Sequence, residues 1–437
     1  MSDLSIGIAA CLALLTFIYF GMHIGVALIV TSFVSVLMIK SGPVAARFVA
    51  AAANDAIRDY LFGVVPLFVL MGMFVSVSGV GRDTFDVFQW LLRRIRGGLG
   101  LATVASNAVF AAITGISIAS ASVFTKVAVP EMMRMGYTPR FSVGVVAGSS
   151  VLGMLIPPSL LMIIYGVIAE ESIGRMFIAG LVPGIVLALG FAVLIIGMAY
   201  LVPHKVGNAA ALIDVPSTET PGSAARKIIP IAALIVLVLG GLYGGLFTPT
   251  EAGAVGAAGS FAIALLRRRL TWKKLWNVLV ETGYVSVSVL FLILAASLYS
   301  RMLALTGMPA AVTEMITTLG LGPWGFLAAY VAIVIALGCI IDSVSIMLIM
   351  LPIVLPVARA FGMDIVWFGV ITVVAVEIGL LTPPFGVSVY TVKSALNDPR
   401  ISIKDIFAGT FPFVLSMVAV LVLLVAFPSL STYLARA

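Results

Sequence analysis

The sequence predicts an all-α polytopic membrane fold built as two copies of one unit, and three observations point there. Of the 437 residues, 62% are hydrophobic and only 10% are charged, with a mean hydropathy of +1.22; most of the chain must lie in lipid or pack against segments that do. Runs such as Ile228 to Tyr243 and Phe411 to Phe427 are apolar on every face. A spanning helix needs that, whereas a barrel strand would alternate apolar and polar residues. The pairs Pro157–Pro158 and Pro383–Pro384 each interrupt an apolar run, and they lie 226 positions apart. Pro130 and Pro356, and Gly136 and Gly362, repeat that spacing, while Gly180 and Pro183 return at Gly409 and Pro412 with an offset of 229. Duplicated apolar halves with helix breaks at matching positions are the pattern of membrane carriers whose sites sit near the bilayer midplane.

The first unit is expected over residues 1–202. It opens with two spans in Leu4 to Met38, followed by an arm from Pro43 to Tyr60. Arg47, Asp55, Arg58 and Asp59 are too closely spaced on that arm for it to enter hydrocarbon, so it should lie along the interface. A span from Phe62 to Val80 and a second amphipathic arm from Asp83 to Arg96 come next. The segment at about 99–133 is apolar but punctuated by Thr114, Gly115, Ser117, Ser120 and Ser122. At ~1.5 Å per residue each side is too short to span comfortably, so a re-entrant hairpin is expected. A helix broken around Leu155 to Pro158, within about 141–165, and a span from Phe177 to Tyr200 complete the unit.

Residues 203–227, rich in Pro, Ser, Thr and Gly, read as a polar linker. The second unit, 228–437, repeats the plan. Its spans fall at Ile228 to Tyr243 and Glu251 to Leu266; a basic arm and a span near Val280 to Leu298 follow. A hairpin at about 324–358, a broken helix at about 365–395 through Thr382 to Pro384, and a last span to Phe427 close it. An odd number of spans between the hairpins makes the two repeats inverted.

The net charge of +7 reflects orientation rather than nucleic-acid binding, because the basic residues are divided among short loops. With Arg267, Arg268, Arg269, Lys273 and Lys274 cytoplasmic, tracing the spans places 17 of the 25 Lys and Arg on that side and 7 on the other. Both termini are then periplasmic. The first residues carry no basic region, so a cleaved signal peptide is not expected. Cys11 and Cys339 fall in apolar runs and suggest neither disulfide nor metal cluster. No phosphate loop, nucleotide fingerprint or paired His and Cys spacing occurs, which argues against a nucleotide-driven pump or a redox enzyme.

Broken membrane helices free backbone groups that only protein, water or an ion can satisfy. Sodium, a hard cation, takes oxygen ligands. Candidate ligands of one sodium site are Ser117, Ser120 and Ser122 at the first tip, with Gly148, Ser149 and Ser150 before the first break. Those of a second are Gly338, Asp342, Ser343 and Ser345, with Gly379 and Thr382. The competing reading is that Ser and Gly merely permit close helix packing. Asp342 carries the strongest expectation, since a carboxylate at membrane depth needs a cation. Glu377 either lines the same cavity or neutralises a neighbouring helix. Lys126 either attracts a substrate carboxylate or snorkels to the surface. With Pro157, Pro158, Pro383 and Pro384, these two are the substrate candidates. Glu251 reads as a helix cap, and His23 as a packing residue.

The runs Gly148 to Ser159 (GSSVLGMLIPPS), Thr248 to Gly256 (TPTEAGAVG), Gly338 to Pro356 and Gly379 to Gly386 (GLLTPPFG) together resemble the large membrane subunit of tripartite ATP-independent periplasmic (TRAP) transporters, within the ion transporter superfamily. The resemblance spans nearly the whole chain. It implies a sodium-coupled, elevator-type importer in the bacterial inner membrane, with hairpins and broken helices as the moving domain and arms and outer spans as scaffold. It also implies three partners: a soluble periplasmic substrate-binding protein, a small four-helix membrane subunit as a separate chain, and a small organic acid of the C4-dicarboxylate or sialic-acid kind. Ser120, where the family often holds an acidic residue, and Lys126, where a small one is common, depart from the pattern. A stand-alone sodium-coupled carboxylate symporter or sodium/proton antiporter of related fold is the alternative.

Overall fold

The computed structural model describes residues 2–58, 60–207, 219–396 and 398–436. Asp59 and most of the expected linker, 208–218, lie outside the described residues. Helices account for the chain's architecture, and the one β feature among the described residues is an isolated bridge between Tyr137 and Gly207. The first half contains α1 (Asp3–Tyr19), α2 (Ile24–Ile39), α3 (Gly42–Arg58), α4 (Val64–Val77), α5 (Val80–Leu92), α6 (Gly98–Thr114), α7 (Ser117–Arg134), α8 (Pro139–Ser150), α9 (Leu152–Leu155), α10 (Leu160–Ala169) and α11 (Ile173–Leu201). After the short α12 (Pro203–Val206), the second half contains α13 (Pro221–Ile235), α14 (Gly241–Tyr243), α15 (Pro249–Leu266), α16 (Trp272–Thr306), α17 (Met308–Thr318), α18 (Pro323–Gly338), α19 (Ser343–Ala360), α20 (Ile365–Leu380), α21 (Val387–Leu396), α22 (Ile403–Ala426) and α23 (Ser429–Arg436).

Seven of the described helices are long and apolar enough to cross a membrane, or up to nine if each of two bent pairs is one span. One bent pair is α4 with α5, at 63°. The chain is thus an all-α polytopic membrane protein, and its outer surface says the same. Leu189 and Val193 on α11, Tyr284 and Val287 on α16 and Val422 on α22 are all exposed, as lipid-facing positions must be. The inner layer is α8 to α10 and α20, where every residue from Val366 to Leu380 is buried.

Helix starts follow from capping chemistry. Thr248 and Glu251 form a reciprocal capping box at α15: the Thr248 amide and hydroxyl both donate to Glu251 Oε2 at 2.8 Å. Glu251 is therefore held as a cap. Asp342, Asp364 and Ser402 likewise accept from the first-turn amides of α19, α20 and α22.

Two expected boundaries differ. Helix α13 already begins at Pro221, inside the stretch read as linker, because Thr220 and Ser223 close a capping box there. The basic arm expected before Val280 is not separate, and α16 runs unbroken for 35 residues. The physical reason is the absence of a breaker: α16 contains no proline, whereas α3 and α4 are parted by a 3-10 turn over Tyr60–Gly63.

Close packing relies on missing side chains. A Cβ on Gly144 would sit 2.1 Å from the Gly409 carbonyl oxygen, and one on Gly148 would strike the Phe413 ring at 2.5 Å, so α8 and α22 touch backbone to backbone. Arm α5 is fastened to α13 and α15 by ion pairs between Asp83 and Arg267 and between Asp86 and Lys227, the latter at 2.8 Å. It also packs on α6 and α7, joining the outer helices to the first hairpin. We expect Gly144→Ala to force α8 and α22 apart, costing about 1–3 kcal/mol as overpacked cores do; a lowered thermal unfolding midpoint of the purified protein checks this.

Candidate functional site

Each hairpin tip is bonded to the break of the helix that follows it. In the first half α6 ends on Gly115, whose φ of +64° only glycine adopts readily. A Cβ there would lie 2.3 Å from the Pro158 carbonyl oxygen. The Gly115 carbonyl accepts the Leu160 amide at 3.1 Å. On the other side of the tip, Gly153 of α9 faces the Ile116 carbonyl and the Ser117 amide, each 3.2 Å from the position its Cβ would take. Thr114, Gly115, Pro158, Ser159 and Leu160 border one small recess with Phe68 and Val69 of α4.

The second half repeats the lock with different residues. Gly338, the last residue of α18, crosses Gly379 of α20, and a Cβ on either would come within 2.7 Å of the other's Cα. The Phe385 amide donates to the Cys339 carbonyl at 3.1 Å, tying the break to the tip. Both Pro–Pro bonds, Pro157–Pro158 and Pro383–Pro384, are cis. Beyond each lock the halves interlace: α7 packs on α21 and α10 packs on α19, so each hairpin also touches the broken helix of the other half.

The candidate residues divide accordingly. Ser117 is buried at the first tip with no hydrogen-bond partner for its hydroxyl. Ser120 and Ser149 are linked through a residue that the sequence reading did not single out, Asn107. Ser120 donates to Asn107 Oδ1 at 2.5 Å, and Asn107 Nδ2 donates to Ser149 Oγ at 2.6 Å. Asn107 is fully buried and is the one amide side chain of α6, which also buries the hydroxyls of Thr103, Ser106 and Thr114; that amide was its only signal in the sequence. The Ser150 hydroxyl turns back to the Ala147 carbonyl. Gly148 faces Phe413 of α22 rather than the tip, so it serves packing. Helix α7 starts at Ser117, which leaves Gly115 and Ile116 as the tip and puts Ser122 on the helix. Ser122 and Lys126 lie one turn apart on a stripe of α7 that also exposes Ile118 and Pro130.

In the second half Asp342 caps α19, accepting from the Ser345 amide at 3.1 Å and from the Ser345 hydroxyl. It is exposed, while Ser343 and Ser345 are buried. Thr382 donates to the Ile378 carbonyl at 2.7 Å, and Pro383, Pro384 and Phe385 are exposed. The second tip and break thus open to the surface of the chain, whereas Pro157 and Pro158 are buried. Glu377 is not with them. At about 100° per residue it lies about 200° round α20 from Gly379, on the face away from the second tip.

What this arrangement offers is electrostatic. Helices α6 and α9 end, and α7 and α10 begin, at the first lock; α18 and α20 end, and α19 and α21 begin, at the second. Helix C-termini present carbonyl oxygens with no intrahelical partner, suited to a cation, and N-termini present amides suited to an anion. Among the described residues no group of three or more His, Cys, Asp or Glu could hold a metal ion.

A polytopic helical protein with paired re-entrant hairpins and broken helices is the class these features define. Comparison with known proteins narrows it. Residues 11–430 match the family model of the tripartite ATP-independent periplasmic transporter, DctM component, and the chain belongs to that family. It is 34% identical over 390 residues, 89% of each chain, to the C4-dicarboxylate TRAP transporter large permease protein DctM of Pseudomonas aeruginosa. It is 30% identical to the ectoine TRAP transporter large permease protein TeaC of Halomonas elongata, over 85% of each chain. Among solved structures it resembles MtrF of Neisseria gonorrhoeae, described as one of a class of antimetabolite efflux pumps, with a TM-score of 0.61 at 13% identity over 88% of this chain and 85% of that one. That likeness is one of fold.

Replacing Asn107 by Leu strands the Ser120 hydroxyl and removes two buried hydrogen bonds. Each lost bond costs about 1 kcal/mol and a stranded buried group about 1–3 kcal/mol, so a total loss of about 2–4 kcal/mol is expected by thermal unfolding, with Asn107→Asp retaining part of it.

Proposed function

We propose that this chain is the large membrane subunit of a TRAP transporter that carries an organic solute bearing a carboxylate across the bacterial inner membrane, driven by sodium. A soluble periplasmic binding protein delivers the solute, and a small four-helix membrane subunit braces the scaffold. The observation that carries this reading is the double lock. Each tip is joined to its break through backbone atoms, so hairpin and broken helix move as one block. The carbonyl ends gathered at each lock suit sodium, and the amide ends suit the solute's carboxylate. The residues proposed for sodium are Ser117, Ser120, Ser149 and Ser150 at the first lock and Gly338, Asp342, Ser343, Ser345, Gly379 and Thr382 at the second.

Alternating access then follows from sliding the block α6–α10 with α18–α21 against a scaffold of α1–α4 and α13–α17. The scaffold has its own cohesion: Gly256 of α15 packs against Met71 of α4, Gly25 of α2 against Phe291 of α16, and Arg301 of α16 pairs with Asp55 of α3 at 2.9 Å. In the chain order α5 leads from the scaffold into the first hairpin, and α17 leads into the second. The two related permeases named for a C4-dicarboxylate and for ectoine support a carboxylate-bearing substrate. The repeats are inverted on this reading, with the hairpins opening to opposite sides.

Asp342→Asn tests the charge apart from the fold, because Asn also caps helices well. In proteoliposomes holding both membrane subunits and supplied with the binding protein, we expect the variant to need at least about tenfold more sodium for half-maximal uptake, the equivalent of about 1.4 kcal/mol. Unchanged sodium dependence would remove Asp342 from the ion site. Uptake that persists without the binding protein would favour a stand-alone carrier.

A further inference from the structure

Glu377 is 2% exposed, and neither carboxylate oxygen has a hydrogen-bond partner. It lies in α20 between Val376 and Ile378, one turn before the break, in a helix whose neighbours are all buried. An ionised carboxylate in such surroundings, with no donor and no counter-charge, is too costly to persist. It is neutralised either by a proton or by a bound cation.

Among the described residues no basic side chain bonds to Glu377, and Lys404 of the neighbouring α22 is exposed. On the elements packed against α20, Arg175 of α11 pairs with Glu171 at 3.6 Å. Arg359 of α19 donates to the Ala169 carbonyl at 2.6 Å. Lys393 of α21 donates to the Asp398 and Ile401 carbonyls at 2.8 and 2.6 Å. Each is committed elsewhere.

The direction of the side chain follows from helix geometry. Gly369 of α20 packs on Tyr165 of α10 and Met176 of α11, and Trp367 bonds through its indole NH to the Leu424 carbonyl of α22. Glu377 lies about 80° round the helix from each of them, between the α10/α11 face and the α22 face. Helix α9, which ends at the first break, also contacts α20. The carboxylate thus leaves α20 between α10 and α11 of the first half and α22 of the second.

The end of α20 supplies further oxygen. In its last turn the Leu381 amide turns to the Ile378 carbonyl at 3.2 Å and the Thr382 amide to the Gly379 carbonyl at 2.9 Å. This tightening to an i→i−3 pattern withdraws Leu381 from the Glu377 carbonyl, its ordinary α-helical acceptor. Glu377 therefore offers two carboxylate oxygens and a main-chain oxygen of its own. An all-oxygen set selects a hard cation. A single carboxylate suits one charge, since divalent sites gather several.

We propose that Glu377 supplies the charged ligand of a sodium site on the face of α20 turned away from the second tip, distinct from the sites at the two locks. The site rests on the sodium-coupled reading and adds a charge-bearing ion between the halves. It is tested on the purified full chain by equilibrium binding of radioactive sodium ion, against choline as the inert salt. Glu377→Gln, which keeps the side chain's size, is expected to weaken the binding at least about tenfold or to remove one ion per chain. Unchanged affinity and stoichiometry in that variant would overturn the site while leaving sodium coupling in place. Absence of saturable sodium binding by the unmodified protein would overturn both. If the Gln variant does not fold, the unmodified protein decides: an apolar carbodiimide should label Glu377, read by peptide mass spectrometry, and sodium should slow that labelling severalfold. No labelling of Glu377, or labelling equal in sodium and choline, would overturn the site.

Discussion

A membrane helix cannot stop at mid-depth unless something takes over its backbone hydrogen bonds, and that constraint shapes this molecule. Here the takeover is local and mutual. The first break gives its Leu160 amide to Gly115 of the tip, and the second tip receives the Phe385 amide on Cys339. Glycine makes both approaches possible: Gly115 against Pro158, and Gly338 against Gly379. Side chains would hold the backbones apart and strand those groups in hydrocarbon. The helix ends gathered at each lock are thus a by-product of solving the broken-helix problem.

The two locks are alike in plan and unlike in exposure. The first is buried, with Ser120, Asn107 and Ser149 bonded into a closed chain of polar groups; the second presents Asp342, Pro383 and Pro384 at the surface. Arm α5 is the natural mechanical link. Its Asp83 and Asp86 hold it to α13 and α15, while its other side packs on both helices of the first hairpin.

Much of this was legible in the sequence because membrane folds restrict their own vocabulary. A proline pair inside an apolar run has few structural meanings, and repeating it 226 residues on points to duplication. The two hairpins, the two breaks and the Glu251 cap followed from local chemistry. Less legible were features that depend on which way a helix turns. Glu377 and Gly379 are two residues apart in sequence, yet they lie about 200° apart round α20. Gly148 sits beside Ser149 but serves the contact with Phe413. Asn107 went unmarked because it lies in mid-helix, far from the tip, and acquires meaning only when α6, α7 and α8 come together. The unbroken α16 was missed for a related reason: charge density suggests an interfacial arm, but no proline interrupts the helix there.

The central claim is that each hairpin travels with its own break while both move against the scaffold. Spin labels at Ile340 and Phe385 report within the second lock, and labels at Ile340 and Val287 of α16 report across the proposed sliding surface; all three positions are exposed. With Cys11 and Cys339 replaced, the distance distributions are measured with and without sodium by double electron–electron resonance. The expected result is an unchanged Ile340–Phe385 distance and a sodium-dependent shift between Ile340 and Val287. A tip that swings away from Phe385 while its distance to Val287 stays fixed would mean that the hairpin is a gate on a stationary site, and would contradict the moving block.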